Sequence, residues 1–220
     1  TLYNTYSFFT LYANIDKFNY SESEIEISER PEIDRWILSE LNTLIKNVDR
    51  FYSDYEPTKV ARSISDFTVE ILSNWYVRLC RRRFWKGEYE LDKISAYQTL
   101  YTCLITISKL AAPIAPFFMD KLFLDLTVNV SKINEESVHL TTFPTSNHSL
   151  IDDNLERKMK YAQKISSLTL SLRAKEKIKV RQPLNKIMIP VSNVDQKNAI
   201  EAVSELIKNE VNVKEIQLLE

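Results

Sequence analysis

Hydrophobic positions in this chain recur every three or four residues over long stretches, the spacing of amphipathic helices. The clearest stretch covers residues 31–55, with Pro31 in the first turn, where proline is favoured. Its apolar positions are Ile33, Trp36, Ile37, Leu41, Leu44, Ile45, Val48, Phe51 and Tyr52. Similar spacing predicts helices over residues 3–13, 57–84, 93–112, 116–126 and 152–175. The pattern therefore predicts a mainly α fold built around a helical bundle.

The predicted helix over residues 57–84 changes character along its length. Its first turns carry an apolar stripe made of Val60, Ile64, Phe67, Ile71 and Trp75. At 100° per residue, Arg78 and Arg82 continue this stripe, and Trp85 follows them. A face that turns from apolar to basic and aromatic indicates that the helix leaves the bundle core there and meets something else.

The end of the chain has a different pattern. Within residues 176–183, Lys177, Lys179 and Arg181 alternate strictly with Ile178 and Val180, which predicts a strand with one basic face. Short apolar strands at 185–191 and 211–219 flank a helical stretch at 193–209. This order predicts a small α/β unit appended to the bundle.

We accordingly expect a helical bundle in residues 1–148 and, in residues 149–220, a long helix followed by the small α/β unit. Two local predictions are that residues 137–140 form a short extended piece and that Asp92 is the N-cap of the helix over 93–112. The chain opens on Thr1 in sequence that is already helical, so we expect a fragment of a longer protein.

Composition removes several function classes. The chain has 220 residues and a single glycine, Gly87, which excludes glycine-rich phosphate loops and dinucleotide fingerprints. The two cysteines and two histidines lack zinc-site spacing, so we expect no metal site and a cytoplasmic location with free thiols. The apolar run over 103–119 contains Lys109 and two prolines, so we interpret it as a core helix and its connection, not as a membrane span.

Two basic stretches are the candidate binding sites, because the net charge of −1 provides no overall attraction for polyanions. Arginine pairs with phosphates through two parallel hydrogen bonds, and aromatic rings stack on unpaired bases. The alternative is a solvated helix end, with Trp75 and Tyr76 in the core. The candidate residues of the first stretch are Asn74, Trp75, Tyr76, Arg78, Arg81, Arg82, Arg83 and Trp85. Those of the second are Arg173, Lys177, Lys179 and Arg181.

Several stretches resemble the isoleucyl-tRNA synthetases, which are class I aminoacyl-tRNA synthetases. "DYEPTKVARSISDFTVEILSNWYVRLCRRRFW" (54–85) and "AYQTLYTCLITISKLAAPIAPFF" (96–118) are similar to their anticodon-binding bundle, and "LSLRAKEKIKVRQPL" (170–184) to the region that follows it. The family's Asn-Trp-Tyr-x-Arg core is present from Asn74 to Arg78. The acidic pair that follows the family's Pro-Phe element appears here as Asp120 and Lys121, which is a departure.

This resemblance implies the tRNA-binding, anticodon-arm part of an enzyme that charges tRNA(Ile) with isoleucine. The complete enzyme uses ATP and Mg²⁺ and carries Zn²⁺ elsewhere in its chain. The nucleotide-binding motifs and the editing domain are missing here, so we expect this part to have no catalytic residues and no cofactor of its own. The implied partners are tRNA(Ile) and the rest of the synthetase chain, without a membrane and as a monomer. Two alternatives are a helical protein-interaction scaffold and a fragment of a valyl-type synthetase.

Overall fold

The computed structural model describes residues 1–86, 88–128, 130 and 135–219. The chain divides into two units, Thr1–Ile151 and Asp152–Glu220. The boundary thus lies just beyond the one placed by sequence between residues 148 and 149. Each unit is described separately below.

The first unit is helical throughout its regular structure, and all the helices predicted for it are present. They are α1 (Leu2–Asp16), α2 (Glu32–Ser53), α3 (Pro57–Asp66), a π-helical segment (Phe67–Val77), α4 (Arg78–Trp85), α5 (Leu91–Ala111) and α6 (Pro116–Thr127). The prediction for Asp92 was wrong: the N-cap of α5 is Glu90, and Asp92 lies in the first turn, where its carboxylate pairs with an arginine.

Helix α5 forms the centre of this unit. It contacts α1, α2, α3, α4 and α6, and side chains are buried around most of its circumference. A helix buried on all sides is apolar all round, which explains the first part of the hydrophobic run, up to Ala111. The rest of the run lies in the connection and the first turn of α6, where Phe117 and Phe118 are exposed. None of the helices in the described ranges is long and apolar enough to cross a membrane.

The α3, π and α4 segments follow one another without a break and bury every fourth residue. These buried side chains are Val60, Ile64, Thr68, Leu72, Tyr76, Cys80 and Phe84. In an α-helix of 3.6 residues per turn, a spacing of four drifts by about 40° at each step. A π turn holds more residues than an α turn because its hydrogen bonds span five residues. The π segment therefore reduces this drift, so that every fourth residue stays on the core side of the helix.

Because of this change in helical pitch, the buried face of the helix over residues 57–84 differs from the predicted apolar stripe. Arg78 and Arg82 are exposed, as predicted, but the helix does not leave the core, because Cys80 and Phe84 remain buried beside them. The basic side chains lie on the outer face of a helix whose inner face still packs against α5.

The fully buried carboxylate of Asp34 connects α2 to three other helical segments of this unit, the π segment, α4 and α5. Asp34 of α2 accepts hydrogen bonds from the Tyr76 hydroxyl (2.8 Å) and from the Ser95 hydroxyl (2.6 Å) of α5. The two terminal nitrogens of Arg83 in α4 bind its two oxygens at 2.7 and 2.8 Å. Arg83 also bonds Asp92, which connects α4 to the start of α5. A buried charge needs such partners to offset its desolvation.

Residues 137–140, in the connection after α6, do not form an extended piece. Residues Val138–Leu140 form a single 3₁₀ turn, so the strand-like prediction for 137–140 was wrong. Asp120 of α6 holds this turn by accepting hydrogen bonds from the Ser137 hydroxyl and the Val138 amide, and the Ser137 bond is the main reason that the pKa of Asp120 is lowered. Residues 129 and 131–134 of this connection lie outside the described residues.

The second unit consists of α7 (Asp153–Lys175), β1 (Leu184–Pro190), α8 (Val194–Ala202), α9 (Ser204–Val211) and β2 (Val213–Leu219). The two strands pair in parallel, with Leu184 opposite Val213 and Ile187 opposite Ile216. Parallel strands need a crossover connection, which α8 and α9 provide. The predicted small α/β unit is therefore confirmed.

The strand predicted over residues 176–183 is absent. These residues form turns, and Lys177 has a φ of 57° in the left-handed region, which a strand cannot contain. The alternation of basic and apolar residues in this stretch reflects turn positions and not the two faces of a sheet.

The Asp34–Arg83 pair predicts a large effect of one substitution on stability. Replacing Arg83 by methionine leaves the buried Asp34 carboxylate without its cation, which should lower the free energy of unfolding by about 3–5 kcal/mol. Urea unfolding followed by circular dichroism measures this change. The matched control is Arg82→Met, on the exposed face of α4, which should change it by about 0.5 kcal/mol or less. Equal effects of the two substitutions would contradict the role assigned to the pair.

Candidate nucleic-acid interface

The solvent face of α4 carries a compact basic and aromatic surface, made of Arg78, Arg81, Arg82, Trp85 and Lys86. All five side chains are exposed, and α4 itself contains no acidic residue. At 100° per residue the first four members fall on one side of the helix, opposite buried Cys80 and Phe84. We call this set the α4 surface.

Two cations of the α4 surface lie against tryptophan rings. The Arg78 guanidinium lies 5.5 Å from the Trp75 ring centre, and its Nε donates a hydrogen bond of 2.7 Å to the Asn74 carbonyl. The Lys86 ammonium lies 5.2 Å from the ring centre of Trp85. Trp85 is 52% exposed, whereas Trp75 is only 9% exposed, so Trp85 is the ring that can offer a stacking face.

Three candidate residues of the first stretch belong to the interior. Trp75 and Tyr76 are buried, and Tyr76 donates its hydroxyl to Asp34. Arg83 points inward to the same carboxylate, and its side chain is only 15% exposed. Tyr76 and Arg83 are therefore corrected from candidate RNA contacts to structural residues, and the core alternative holds for Trp75. Asn74 stays exposed, with its side-chain amide 3.4 Å from a Glu70 carboxylate oxygen.

The electrostatics of this buried cluster favour the charged form of Arg83 and the protonated forms of Tyr76 and Cys80. Burial by itself lowers the pKa of Arg83, but its hydrogen bonds to Asp34 and the charge of Asp34 outweigh burial and raise that pKa. Burial, then the nearby carboxylate, raises the pKa of Tyr76. Burial also raises the pKa of Cys80 to about 12, so this thiol is protonated at neutral pH and is no nucleophile.

The second basic stretch lies in the other unit and is organised by one buried arginine. Arg173 is 2% exposed, and its terminal nitrogens donate to the carbonyls of Lys179 (3.1 Å), Gln182 (3.0 Å) and Asn212 (2.9 Å). It therefore joins the end of α7 to the following turn and to the start of β2. Arg173 is corrected to a structural residue, while Lys177, Lys179 and Arg181 of that turn are exposed.

The exposed cations of the two basic stretches can bind a polyanion. In the part of the chain that the structure describes, no group of three or more histidine, cysteine or acidic side chains could hold a metal ion. Exposed arginines and a half-exposed tryptophan are the side chains that neutralise phosphates and stack on unpaired bases. Lys86, which belongs to the first basic stretch, was not among the candidate site residues, nor were Lys160 and Lys164 of α7, which a helical projection of residues 153–175 groups on one face.

The α4 surface thus has the side-chain chemistry of an RNA-binding surface. The family profile described as the anticodon-binding domain of tRNA ligase matches residues 34–189, which include most of α2, all of α3 to α7 and most of β1. The match covers more than half of the chain. The chain therefore belongs to the anticodon-binding domain family of tRNA ligases.

The proteins that are similar to this chain carry a more specific name than the family profile. The chain is 60% identical over 220 residues to an isoleucine–tRNA ligase of Bacteroides thetaiotaomicron, covering all of this chain and 19% of that protein. It is 60% identical over 221 residues to one of Cytophaga hutchinsonii, covering all of this chain and 20% of that protein. For one of Clostridium novyi the identity is 45% over 217 residues, with 99% and 20% covered. The chain thus spans about a fifth of the length of the curated relatives it matches.

Exposure of Trp85 predicts how the protein's fluorescence responds to a quencher. Trp36 and Trp75 are buried, so most of the emission that acrylamide can quench should come from Trp85. Trp85→Phe should therefore remove most of the quenchable fraction and shift the remaining emission to shorter wavelength. Trp75→Phe is the control and should leave the quenchable fraction nearly unchanged. A Trp85→Phe variant that is quenched like the parent would contradict the exposed position of this ring.

The contacts of Arg173 predict local protection from protease. With Arg173→Met the carbonyls of Lys179 and Gln182 lose their hydrogen bonds from the guanidinium, so trypsin should cut after Lys177 and Lys179 several times faster than in the parent. Peptide mass spectrometry over a time course measures the rates. Arg157→Met, on the exposed side of α7, is the control and should not change them. An unchanged rate in the Arg173 variant would show that other contacts hold the turn.

Proposed function

We propose that this chain is the anticodon-arm-binding part of an isoleucine–tRNA ligase and that its RNA ligand is tRNA(Ile). The complete protein would activate isoleucine with ATP and Mg²⁺ and transfer it to the tRNA, with Zn²⁺ and all reacting groups in other parts of the chain. The proposal is supported by the identity to isoleucine–tRNA ligases over the whole chain. We further propose that the protein acts in the cytoplasm as a monomer.

The observation that carries this proposal is the α4 surface. Three arginines stand on one face of a helix whose other face is packed in the core, so their backbone positions are fixed before RNA binds. Phosphate contacts of this kind determine the register of an RNA, while unpaired bases are recognised by stacking and edge contacts. Arg78, Arg81 and Arg82 would neutralise phosphates of the anticodon arm, and Trp85 would stack on one of its unpaired bases.

The exposed turn of the second unit would add contacts to the phosphate backbone of the RNA. Lys177, Lys179 and Arg181 project from a turn whose carbonyls are bonded to Arg173, so the turn keeps its shape without RNA. Lysine acts on phosphate as a point charge, so Lys177 and Lys179 would strengthen binding without selecting the anticodon. Arg181 would pair with a phosphate through its guanidinium.

Binding to an RNA hairpin with the sequence of the tRNA(Ile) anticodon arm tests the proposal. Arg78→Ala/Arg82→Ala should weaken binding at least tenfold at low salt. It should also make the dependence of log affinity on log salt shallower by about 1.5, because about 0.7–0.9 is lost for each phosphate contact. A salt series by fluorescence anisotropy measures both quantities. The corresponding hairpin of tRNA(Val) should bind more weakly than that of tRNA(Ile).

The control removes the same charge from other helices of the same unit. Arg35 in α2 and Arg62 in α3 are exposed, and Arg35→Ala/Arg62→Ala should keep the parent's affinity and salt dependence. Weak binding of both hairpins that neither double variant alters would refute the role of the α4 surface. It would favour a bundle that serves as a scaffold for proteins.

A further inference from the structure

Helix α7 has two opposite faces with different chemistry. The buried side chains Leu155, Met159, Ala162, Ser166 and Arg173 form the inner face, and α7 contacts α8 and α9 within its own unit. At 100° per residue, the opposite side carries Asp153 at its start, followed by Arg157, Lys160, Lys164, Leu168, Ser171 and Lys175. All seven of these side chains are exposed. We call their four cations, Arg157, Lys160, Lys164 and Lys175, the α7 basic face.

No acidic residue occurs anywhere between Arg157 and Lys175. Arg157 bonds the side-chain oxygen of Asn154, and within the described ranges no carboxylate lies at ion-pair distance from Lys160, Lys164 or Lys175. The four cations are spread along a line of about 27 Å, at 1.5 Å per residue. At the end of this line the chain continues into the turn with Lys177, Lys179 and Arg181.

Ordinary helix stabilisation accounts for only part of this face. The helix dipole favours cations in the last turn, where Lys175 lies, but its effect does not reach the middle of the helix. Asp153 and Glu156 stand four residues before Arg157 and Lys160, which is a favourable spacing, whereas the residue four positions before Lys164 is another lysine, Lys160, and like charges at this spacing destabilise a helix. An anion bound along the face would relieve this repulsion between Lys160 and Lys164.

We propose that the α7 basic face is a second RNA-binding surface, one that binds phosphates along a strand of the tRNA and reads no bases. A linear row of cations fits the regular charge of a nucleic-acid strand, and exposed Leu168 in its middle offers apolar contact to sugar edges. The inference rests on the proposed function and deepens it, because it assigns part of the affinity for tRNA to a surface outside the α4 surface.

The test uses a tRNA(Ile) transcript and the double variant Lys160→Ala/Lys164→Ala. Alanine favours the helix at both positions, so circular dichroism should show an unchanged fold. Affinity at low salt should fall about tenfold, and the slope of log affinity against log salt should become shallower by about 1.5. Because no base is read, affinity for a tRNA(Val) transcript should fall by the same factor.

A matched control exists in the same unit. Lys186 and Lys214 are exposed on β1 and β2, and Lys186→Ala/Lys214→Ala removes the same charge from the strands. This variant should keep the parent's affinity and slope. Amine acylation read by mass spectrometry gives an independent signal: bound tRNA should protect Lys160 and Lys164 at least several-fold and leave Lys186 and Lys214 unprotected.

The outcomes separate this inference from the proposed function. A parent chain that binds tRNA, loses affinity in Arg78→Ala/Arg82→Ala and keeps it in Lys160→Ala/Lys164→Ala, without protection of the two lysines, overturns the α7 inference alone. A parent chain that binds neither transcript overturns both. An equal loss in the α7 variant and in the strand control also overturns the inference, because total charge and not the α7 basic face would then set affinity.

Discussion

The helical unit depends on how it accommodates one charge, the carboxylate of Asp34, which is fully removed from solvent. Desolvating a carboxylate costs several kcal/mol, so the fold must supply a cation and donors in fixed positions. Arg83 supplies the cation through two parallel hydrogen bonds, and Tyr76 and Ser95 supply hydroxyl donors. Because these groups come from the π segment, α4 and α5, the elements around α2 cannot shift independently.

The same interaction determines which arginines remain available to a ligand. With Arg83 directed inward, its neighbours Arg81 and Arg82 on α4 are directed outward, and Arg78 lies above Trp75. The π segment contributes to this result, because it keeps the buried series of every fourth residue, from Val60 to Phe84, on the core side. A buried ion pair and a change in helical pitch thus together present the α4 surface on a rigid support, which reduces the conformational entropy lost on binding.

The second unit also contains a buried charge, that of Arg173, but no carboxylate among the residues that the structure describes pairs with it. Arg173 is buried among main-chain carbonyls, which hold the turn that carries Lys177, Lys179 and Arg181. In each unit one arginine of a basic stretch, Arg83 or Arg173, is largely buried and bonds interior groups, while the other basic residues of the same stretch are exposed. A basic stretch in a sequence is therefore not one functional class: its members divide between structural and binding roles according to the face on which each one falls.

Hydrophobic spacing and composition alone determined the helical class, the extents of the helices, the β-α-β ending and the basic stretches as regions of interest, because these features depend on local periodicity and on residue type. Resemblance of long stretches gave the family. The roles of individual residues depended on tertiary contacts. Asp34 and Arg83 are 49 positions apart, and no local pattern links them. The π segment shifted the predicted stripe because its pitch differs from 3.6 residues per turn. Residues 176–183 form turns in which Arg173 donates hydrogen bonds to the carbonyls of Lys179 and Gln182. The alternating pattern of this stretch does not encode these contacts.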